Sequence, residues 1–271
     1  MIPVALTIAG SDSGGGAGIQ ADLKSFSALG TFGTSAITAI TAQNTQSVRA
    51  VEILSPGIVA AQIEAVLDDF TVGAIKIGMA GSADTIVAIA SVLHRAGTRA
   101  VLDPVMVATS GDRLLAQEAV NALTTRLLPL ALLATPNLHE AAILSGMAVA
   151  RNEVDMAEQG RRILALGAGA VLVKGGHLTG NESVDLLLSP DAPVRRFATP
   201  RIETRNDHGT GCTLSAAIAA HLAHGLPLED AVAEGKRYLS GALAAGAPLR
   251  LGRGHGPVHH FHALWKAESG R

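Results

Sequence analysis

The sequence predicts an α/β protein with a central, mostly parallel sheet flanked by helices on both faces and one short antiparallel hairpin. Three observations carry that expectation. Short apolar runs alternate with amphipathic, helix-length segments from end to end. The runs mostly lack polar alternation, as strands buried on both faces should. The chain has 271 residues, 48% hydrophobic, 16% charged and 3% aromatic, with 30 Gly and 11 Pro. That composition excludes a disordered, collagen-like or coiled-coil chain and leaves ample core for a single domain over residues 1–271.

The elements follow in order. Val4–Ala9 reads as the first strand, and Ile19, Leu23, Phe26 and Leu29 recur at helical spacing before Gly30 and Gly33 close the segment. Ser35–Thr41, Ala74–Ile77, Ala100–Leu102, Leu132–Thr135 and Ala170–Val173 are further Val-, Ile-, Leu- and Ala-rich runs of strand length. Amphipathic stretches lie at about Ile58–Phe70, Asp84–Ala96, Asp155–Leu166 and Thr213–His224, the last stopping at Gly225-Leu-Pro227 as a helix should. Short apolar runs around Pro190 and Pro193 make Val184–Ile202 a hairpin. No repeat, low-complexity segment or dividing linker interrupts the pattern.

Charge and cysteine count narrow the function classes. A formal net charge of −2, from 21 basic and 23 acidic residues, gives no footprint for nucleic acid or an anionic membrane. The lone Cys212 cannot close an intramolecular disulfide. Met1–Asp22 contains no Lys or Arg, so no signal-peptide n-region is expected. The 24 uncharged residues Ser25–Val48 are long enough to raise the membrane question, but 12 of them are Ser, Thr, Asn or Gln, which lipid would penalise. The expectation is a soluble, cytoplasmic protein.

In sheets of this kind ligands bind beyond the carboxyl ends of the strands, so chemistry should follow each strand directly. Gly10-Ser-Asp-Ser-Gly-Gly-Gly-Ala-Gly18 follows the first strand and leads into a helix, where backbone N–H groups could approach an anion or polar ligand. A permissive loop with no ligand is the alternative. Gly16–Ala21 fits G-x-G-x-x-A, but no Asp or Glu lies between Asp22 and Glu52 to bind a ribose, and no P-loop motif exists anywhere.

Asn206-Asp-His-Gly-Thr-Gly-Cys212 runs straight into an apolar helix. Gly209, Thr210 and Gly211 would expose amides at that helix start, where phosphate or an oxyanion is favoured. Cys212 in the first turn should have a lowered thiol pKa and serve as base or nucleophile. Otherwise it is a small buried hydrophobe. Asp103 ends one strand, and Thr135-Pro-Asn-Leu-His-Glu140 ends another. Oxygens from Asp103, Asn137 and Glu140 suit magnesium held together with substrate phosphates, although N-x-x-E equally fits a helix capping box. Lys174, followed by Gly175-Gly-His177, could neutralise a phosphate. Together these positions describe phosphoryl transfer without a P-loop.

These motifs resemble those of the hydroxymethylpyrimidine/phosphomethylpyrimidine kinases of thiamine biosynthesis. The resemblance is carried by Ala9–Lys24, Thr41-Ala-Gln-Asn-Thr45, Lys76-Ile-Gly-Met79, Leu102-Asp-Pro-Val-Met106, Thr135–Glu140, Lys174–His177, His208–Thr213 and Gly256-Pro-Val-His-His-Phe-His262. It covers nearly the whole chain, in order. Two positions depart from the family pattern: Gly14, where Ser is common, and Asp207, where Thr is.

The resemblance implies a ribokinase-like fold, a homodimer, and ATP with magnesium. It implies phosphorylation of 4-amino-5-hydroxymethyl-2-methylpyrimidine to its monophosphate and then to the diphosphate. By position, Gln43 would recognise the pyrimidine, with Gly10, Asp22, Met79 and Val105 lining its pocket. A Gln amide offers an acceptor and donors side by side, which suits an aminopyrimidine edge. Asp22 as a first-turn acid on the helix dipole is the alternative. Cys212 would take the hydroxymethyl proton, the Gly209–Cys212 amides would stabilise the transferring group, and Lys174 would contact phosphates. Asp103, Asn137 and Glu140 would organise magnesium, directly or through water. His255, His259, His260 and His262 lack a completing ligand set, so packing rather than zinc is expected.

The rival readings are pyridoxal kinase activity on the same fold, a non-catalytic pyrimidine-binding module, and a Cys-dependent hydrolase with His208 as partner.

Overall fold

The computed structural model describes residues 1–106 and 116–265. One nine-stranded sheet is ordered β3-β2-β1-β4-β5-β6-β7-β8-β9 among the described residues. The strands are β1 (Val4–Asp12), β2 (Phe32–Gln43), β3 (Val48–Ile53), β4 (Ala74–Ile77), β5 (Ala100–Leu102), β6 (Ala131–Ala134), β7 (Val171–Lys174), β8 (Glu182–Leu188) and β9 (Arg195–Pro200). From β2 across to β7 every neighbour is parallel. The expected hairpin is present as β8–β9, paired antiparallel from Glu182–Pro200 to Leu187–Arg195, and β8 also runs antiparallel to β7. β3 has no counterpart in the sequence expectation and pairs antiparallel with β2 at the sheet edge.

The helices are α1 (Gly18–Ala28), α2 (Pro56–Asp69), α3 (Ala83–Ala96), α4 (Gln117–Ala122), α5 (Leu138–Ser145), α6 (Glu153–Ala165), α7 (Thr210–Ala223) and α8 (Leu228–Gly246). They cover both faces, which explains the unalternating apolar runs. Successive side chains of a strand point to opposite faces, and here both faces are cores. Leu6, Ile8, Ala100, Leu102, Val171 and Val173 pack with α2, α3 and α6 residues such as Ile63, Ile89 and Ile163. Ala5, Val101 and Leu172 face the other way, onto Phe26 of α1, Leu214 and Ile218 of α7 and Val232 of α8. α7 shows no polar face because it is sandwiched. Every residue from Thr213 to Ala220 is buried between the sheet, α1 and α8.

Local signals set the helix ends. Ser82 caps α3 by accepting from the Thr85 N–H, and left-handed Gly97 (φ 63°) ends it. The uncharged stretch Ser25–Val48 becomes the end of α1 and the whole of β2. No helix among the described residues is long and apolar enough to cross a membrane.

Candidate active site

The carboxyl ends of β1, β2, β4, β5, β6 and β7 open onto a cavity of about 1030 Å³, closed on one side by the start of α7. Gln43, Met79, Gly211, Cys212, Lys174 and Glu140 line it together. Gly10, Val105, Asp103, Asn137, Gly209 and Thr210 also lie on its wall. Gly10 sits against the Met79 methyl group, 2.4 Å from where a Cβ would stand.

Asp22 is the exception. It lies one layer beneath the cavity, fully buried and absent from the lining. Its carboxylate binds Lys76 Nζ at 2.8 and 2.9 Å and accepts from the Thr7 hydroxyl at 2.6 Å. Asp22 stands one helical turn beyond the cavity-lining Gly18, on the same face of α1 but where that face meets the lysine on β4 instead of the pocket. The carboxylate more than offsets burial and holds Lys76 above its ordinary pKa.

The glycine-rich loop also differs from expectation. Its amides from Gly14 to Ala17 do not stand open to a ligand. Those of Gly14, Gly16 and Ala17 donate to the Asp12 carboxylate at 2.8, 3.0 and 2.9 Å, so the loop folds around an anion of its own. His208 Nε2 adds a fourth contact at 2.9 Å, and these partners hold Asp12 below its usual pKa despite burial. His208 is therefore committed to Asp12 rather than to Cys212, which removes the partner a cysteine hydrolase would need.

At the start of α7, left-handed Gly209 (φ 81°) turns the chain into the helix. A Cβ on it would lie 1.8 Å from the Gly16 carbonyl oxygen, so the two glycine loops touch backbone to backbone. The amides of Gly211 and Cys212 have no partner among the described residues and are free for an anion. The Gly18 amide beside the Cys212 sulfur favours its ionised form. The thiol is nonetheless pushed up to about 11, chiefly by burial, with Lys76 pulling it down and Asp22 and Asp103 pushing it up. The helix start does not confer the lowered pKa that position alone suggests, because burial and two carboxylates outweigh it.

Deeper along the cavity, Asp103 accepts from Lys174 Nζ at 2.7 Å and from Thr135 at 3.2 Å. Asp103 and Glu140 together more than offset burial and raise the Lys174 pKa. Asn137 and Glu140 form a capping box on α5. Asn137 Oδ1 accepts from the His139 and Glu140 amides, and Glu140 Oε2 accepts from the Asn137 N–H at 2.8 Å. Both residues also face the cavity, so capping and lining coexist. Burial first, and Asp103 after it, push Glu140 up to about 7 against the pull of Lys174. Two buried carboxylates with one nearby cation leave room for further positive charge, and hard oxygen donors suit magnesium. No cluster of three His, Cys, Asp or Glu forms among the described residues, so phosphate and water oxygens would have to complete such a shell.

The roles of three site residues escaped the sequence reading. Asp12 sat in the quoted glycine motif, where an Asp before glycines signals an Asx-type turn. Lys76 stood between Ile75 and Ile77 in a run assigned to a buried strand, where a charge needs a partner. His208 stood only as a candidate partner of Cys212, and nothing in the sequence pointed to Asp12 and Gln43, 196 and 165 residues away. The C-terminal histidines serve packing. His260 meets Thr213 at 3.1 Å and its carbonyl accepts from Tyr238 at 2.7 Å, while His259 and Phe261 lie against Trp265. Asp207 pairs with His255 at 2.9 Å.

An open α/β sheet of this order, with free helix-start amides, a lysine and two carboxylates gathered beyond its strand ends, defines a ribokinase-like phosphotransferase. The chain belongs to the phosphomethylpyrimidine kinase family, whose sequence model matches residues 12–259. It is 62% identical over 266 residues to the hydroxymethylpyrimidine/phosphomethylpyrimidine kinase of Rhizobium meliloti, covering 98% of this chain and 100% of that one. The phosphomethylpyrimidine kinase of Clostridium difficile superposes with a TM-score of 0.79 at 46% identity, covering 89% of this chain and 99% of that one. The ADP complex of Bacillus subtilis pyridoxal kinase superposes with a TM-score of 0.91 at 36% identity, covering 98% and 100%.

Proposed function

We propose that this protein phosphorylates 4-amino-5-hydroxymethyl-2-methylpyrimidine with ATP, and then phosphorylates the monophosphate to the diphosphate, for thiamine biosynthesis. One observation carries the reading: a single cavity joins Gln43, Cys212, the free amides of α7 and the Lys174–Asp103–Glu140 cluster. Full-length identity of 62% to a kinase of that name favours this substrate over pyridoxal.

In this reading Gln43 binds the aminopyrimidine edge, while Gly10, Met79 and Val105 shape the ring pocket. The hydroxymethyl oxygen attacks the γ-phosphorus, the bond from that phosphorus to the β–γ bridging oxygen breaks, and ADP leaves. The hydroxyl proton passes to Cys212 Sγ as thiolate. Asp22 acts from beneath, through Lys76. The amides of Gly209, Gly211 and Cys212 hold the equatorial oxygens of the transferring group, the Thr210 N–H being already given to the Asp207 carbonyl at 3.3 Å, and Lys174 neutralises phosphate charge. Asp103 and Glu140, oriented with Asn137, would be the oxygen donors for magnesium, which when bound would draw charge from the phosphates. Because Cys212 rests as a thiol near pKa 11, turnover should climb with pH through the neutral range as the thiolate fraction grows.

The reading carries a cytoplasmic location and one domain acting as a homodimer. Half-exposed Val51 and Ile53, on one face of the edge strand β3, offer an apolar surface for a second copy. Light scattering on the purified protein tests the dimer.

The function is tested by ADP release with ATP, magnesium and either hydroxymethylpyrimidine or pyridoxal, with products separated by charge. Two successive charge increments on the pyrimidine support the proposal, and turnover of pyridoxal alone overturns the substrate. Unchanged turnover in Cys212→Ala removes the base assignment. Cys212→Asp should remain active with a flattened alkaline rise, since a carboxylate is already ionised there.

A further inference from the structure

The Asp12–His208 pair extends to Gln43, and counting protons along it fixes more than a loop. One end of the Gln43 amide lies 3.4 Å from His208 Nε2, and the other lies 3.2 Å from Thr41 Oγ1. Amide nitrogen and oxygen have the same shape, so the surrounding protons decide which is which. Asp12 already accepts three backbone N–H groups as a carboxylate, so His208 Nε2, 2.9 Å away, carries a proton and donates. Thr41 has one hydroxyl proton, which it gives to the Ser11 carbonyl at 2.9 Å. Toward Gln43 it can then only accept.

With its nitrogen toward His208, the amide would set two donors face to face and leave its oxygen without a proton from Thr41. A half-turn satisfies every group. Oε1 takes the longer, second branch of the His208 N–H, whose main acceptor is Asp12, Nε2 donates to Thr41, and one lone pair and one N–H remain for the cavity.

We infer that His208, held by Asp12, is a positioning residue that locks the Gln43 amide in one orientation and so sets which hydrogen-bonding edge of a heterocycle the pocket accepts. The locked amide offers an acceptor beside a donor in fixed order. That order suits an exocyclic amino group next to an unprotonated ring nitrogen. It opposes a ring carbonyl next to a ring N–H, which presents the same shape with the order reversed. An unlocked Gln would turn over and greet either edge. The inference rests on Gln43 as the residue that reads the ring, and it adds the reason for the selectivity.

The test compares the amino substrate with 5-hydroxymethyl-2-methylpyrimidin-4-one, which keeps the ring and the hydroxymethyl group but reverses donor and acceptor. The readout is the ratio of the two kcat/KM values, which is insensitive to the fraction of active enzyme. The intact protein should prefer the amino compound by about tenfold to a hundredfold, the range expected when buried donors or acceptors are mismatched. His208→Phe keeps a ring but loses the proton, and should bring the ratio toward one. His208→Gln restores an N–H donor and should keep much of the preference. Thr41→Val removes the opposite anchor without touching the phosphate loop, and lowers the same ratio should the ring variant fail to fold.

Absence of any preference in the intact protein overturns the lock. So does a preference that survives His208→Phe or Thr41→Val but vanishes in Gln43→Ala, which leaves Gln43 as the reader. A preference that survives Gln43→Ala instead removes the reading on which the inference rests.

Discussion

Replacing Lys76 by Met should destabilise the protein sharply, and a second substitution should repair it. The lysine and Asp22 are both fully buried, with the closer oxygen 2.8 Å from the ammonium. At an effective dielectric of about 20, unit charges at that separation attract by roughly 6 kcal/mol. Desolvation offsets much of that gain, but removing one partner strands the other. Asp22 would keep only the Thr7 hydroxyl. Breaking a buried pair in this way costs about 3–5 kcal/mol. With an unfolding entropy of about 2.1 cal/mol/K per residue over 271 residues, a loss of about 4 kcal/mol lowers Tm by about 7 °C. Lys76→Met with Asp22→Leu removes both charges and should recover most of the stability. Turnover should not recover fully with it, because the lost Lys76 cation favours the Cys212 thiolate more than the lost Asp22 carboxylate opposes it. Thermal unfolding followed by circular dichroism, paired with ADP release, separates the two effects. A Tm for Lys76→Met within about 2 °C of the parent, or a double variant as unstable as the single one, would refute the reasoning.

Three further outcomes are expected. His260 stays neutral in the folded state down to about 3, against 6.5 for an ordinary imidazole. The unfolded state therefore binds more protons between those values, and the stability is fully present above about 6.5. It falls as pH drops, by about 1.4 kcal/mol per unit until roughly pH 3. Urea unfolding at stepped pH should show a shallower acid loss in His260→Gln, and identical slopes would refute the assignment. In Gly209→Ala the new Cβ meets the Gly16 carbonyl at 1.8 Å in a left-handed backbone, so the α7 start must move. Turnover should fall about a hundredfold, as for an ångström of misplacement in a phosphoryl-transfer site, and activity within twofold of the parent contradicts the contact. Asn137→Ala loses the cap on α5 and should cost about 1 kcal/mol, a fall of about 2 °C in Tm by calorimetry.

Most of the sheet was legible because its strands obey one rule. Ala74–Ile77 and Ala100–Leu102 are apolar at every position but Lys76, since helices cover both faces, and they emerged with the expected bounds. β3 was not legible. It is short, carries Arg49 and Glu52, and is largely exposed, so neither periodicity nor hydrophobicity marks it. The residues marked at strand ends meet on one cavity because parallel strands all deliver their carboxyl ends to the same side. The misreadings concern what lies between those residues. Spacing alone could not reveal that Asp12 occupies the glycine loop, or that Asp22 looks down to Lys76. Nor could it weigh burial and neighbouring carboxylates against the helix start at Cys212. Each of these depends on partners brought together from distant strands, and therefore on tertiary structure.

The contact between Gly16 and Gly209 has a consequence for how the protein is made. The first strand and helix leave the ribosome early, yet the loop they form is completed by a turn nearly two hundred residues later. At roughly 5–20 residues per second the wait is about 10–40 s. Through that interval Ala5 and Phe26 lack the Leu214 and Ile218 surface that buries them in the finished molecule. A nascent or prematurely terminated chain ending before α7 is thus an adhesive intermediate, a substrate for chaperones and proteases rather than a partly working enzyme. Competence arrives in one step, near the end of translation.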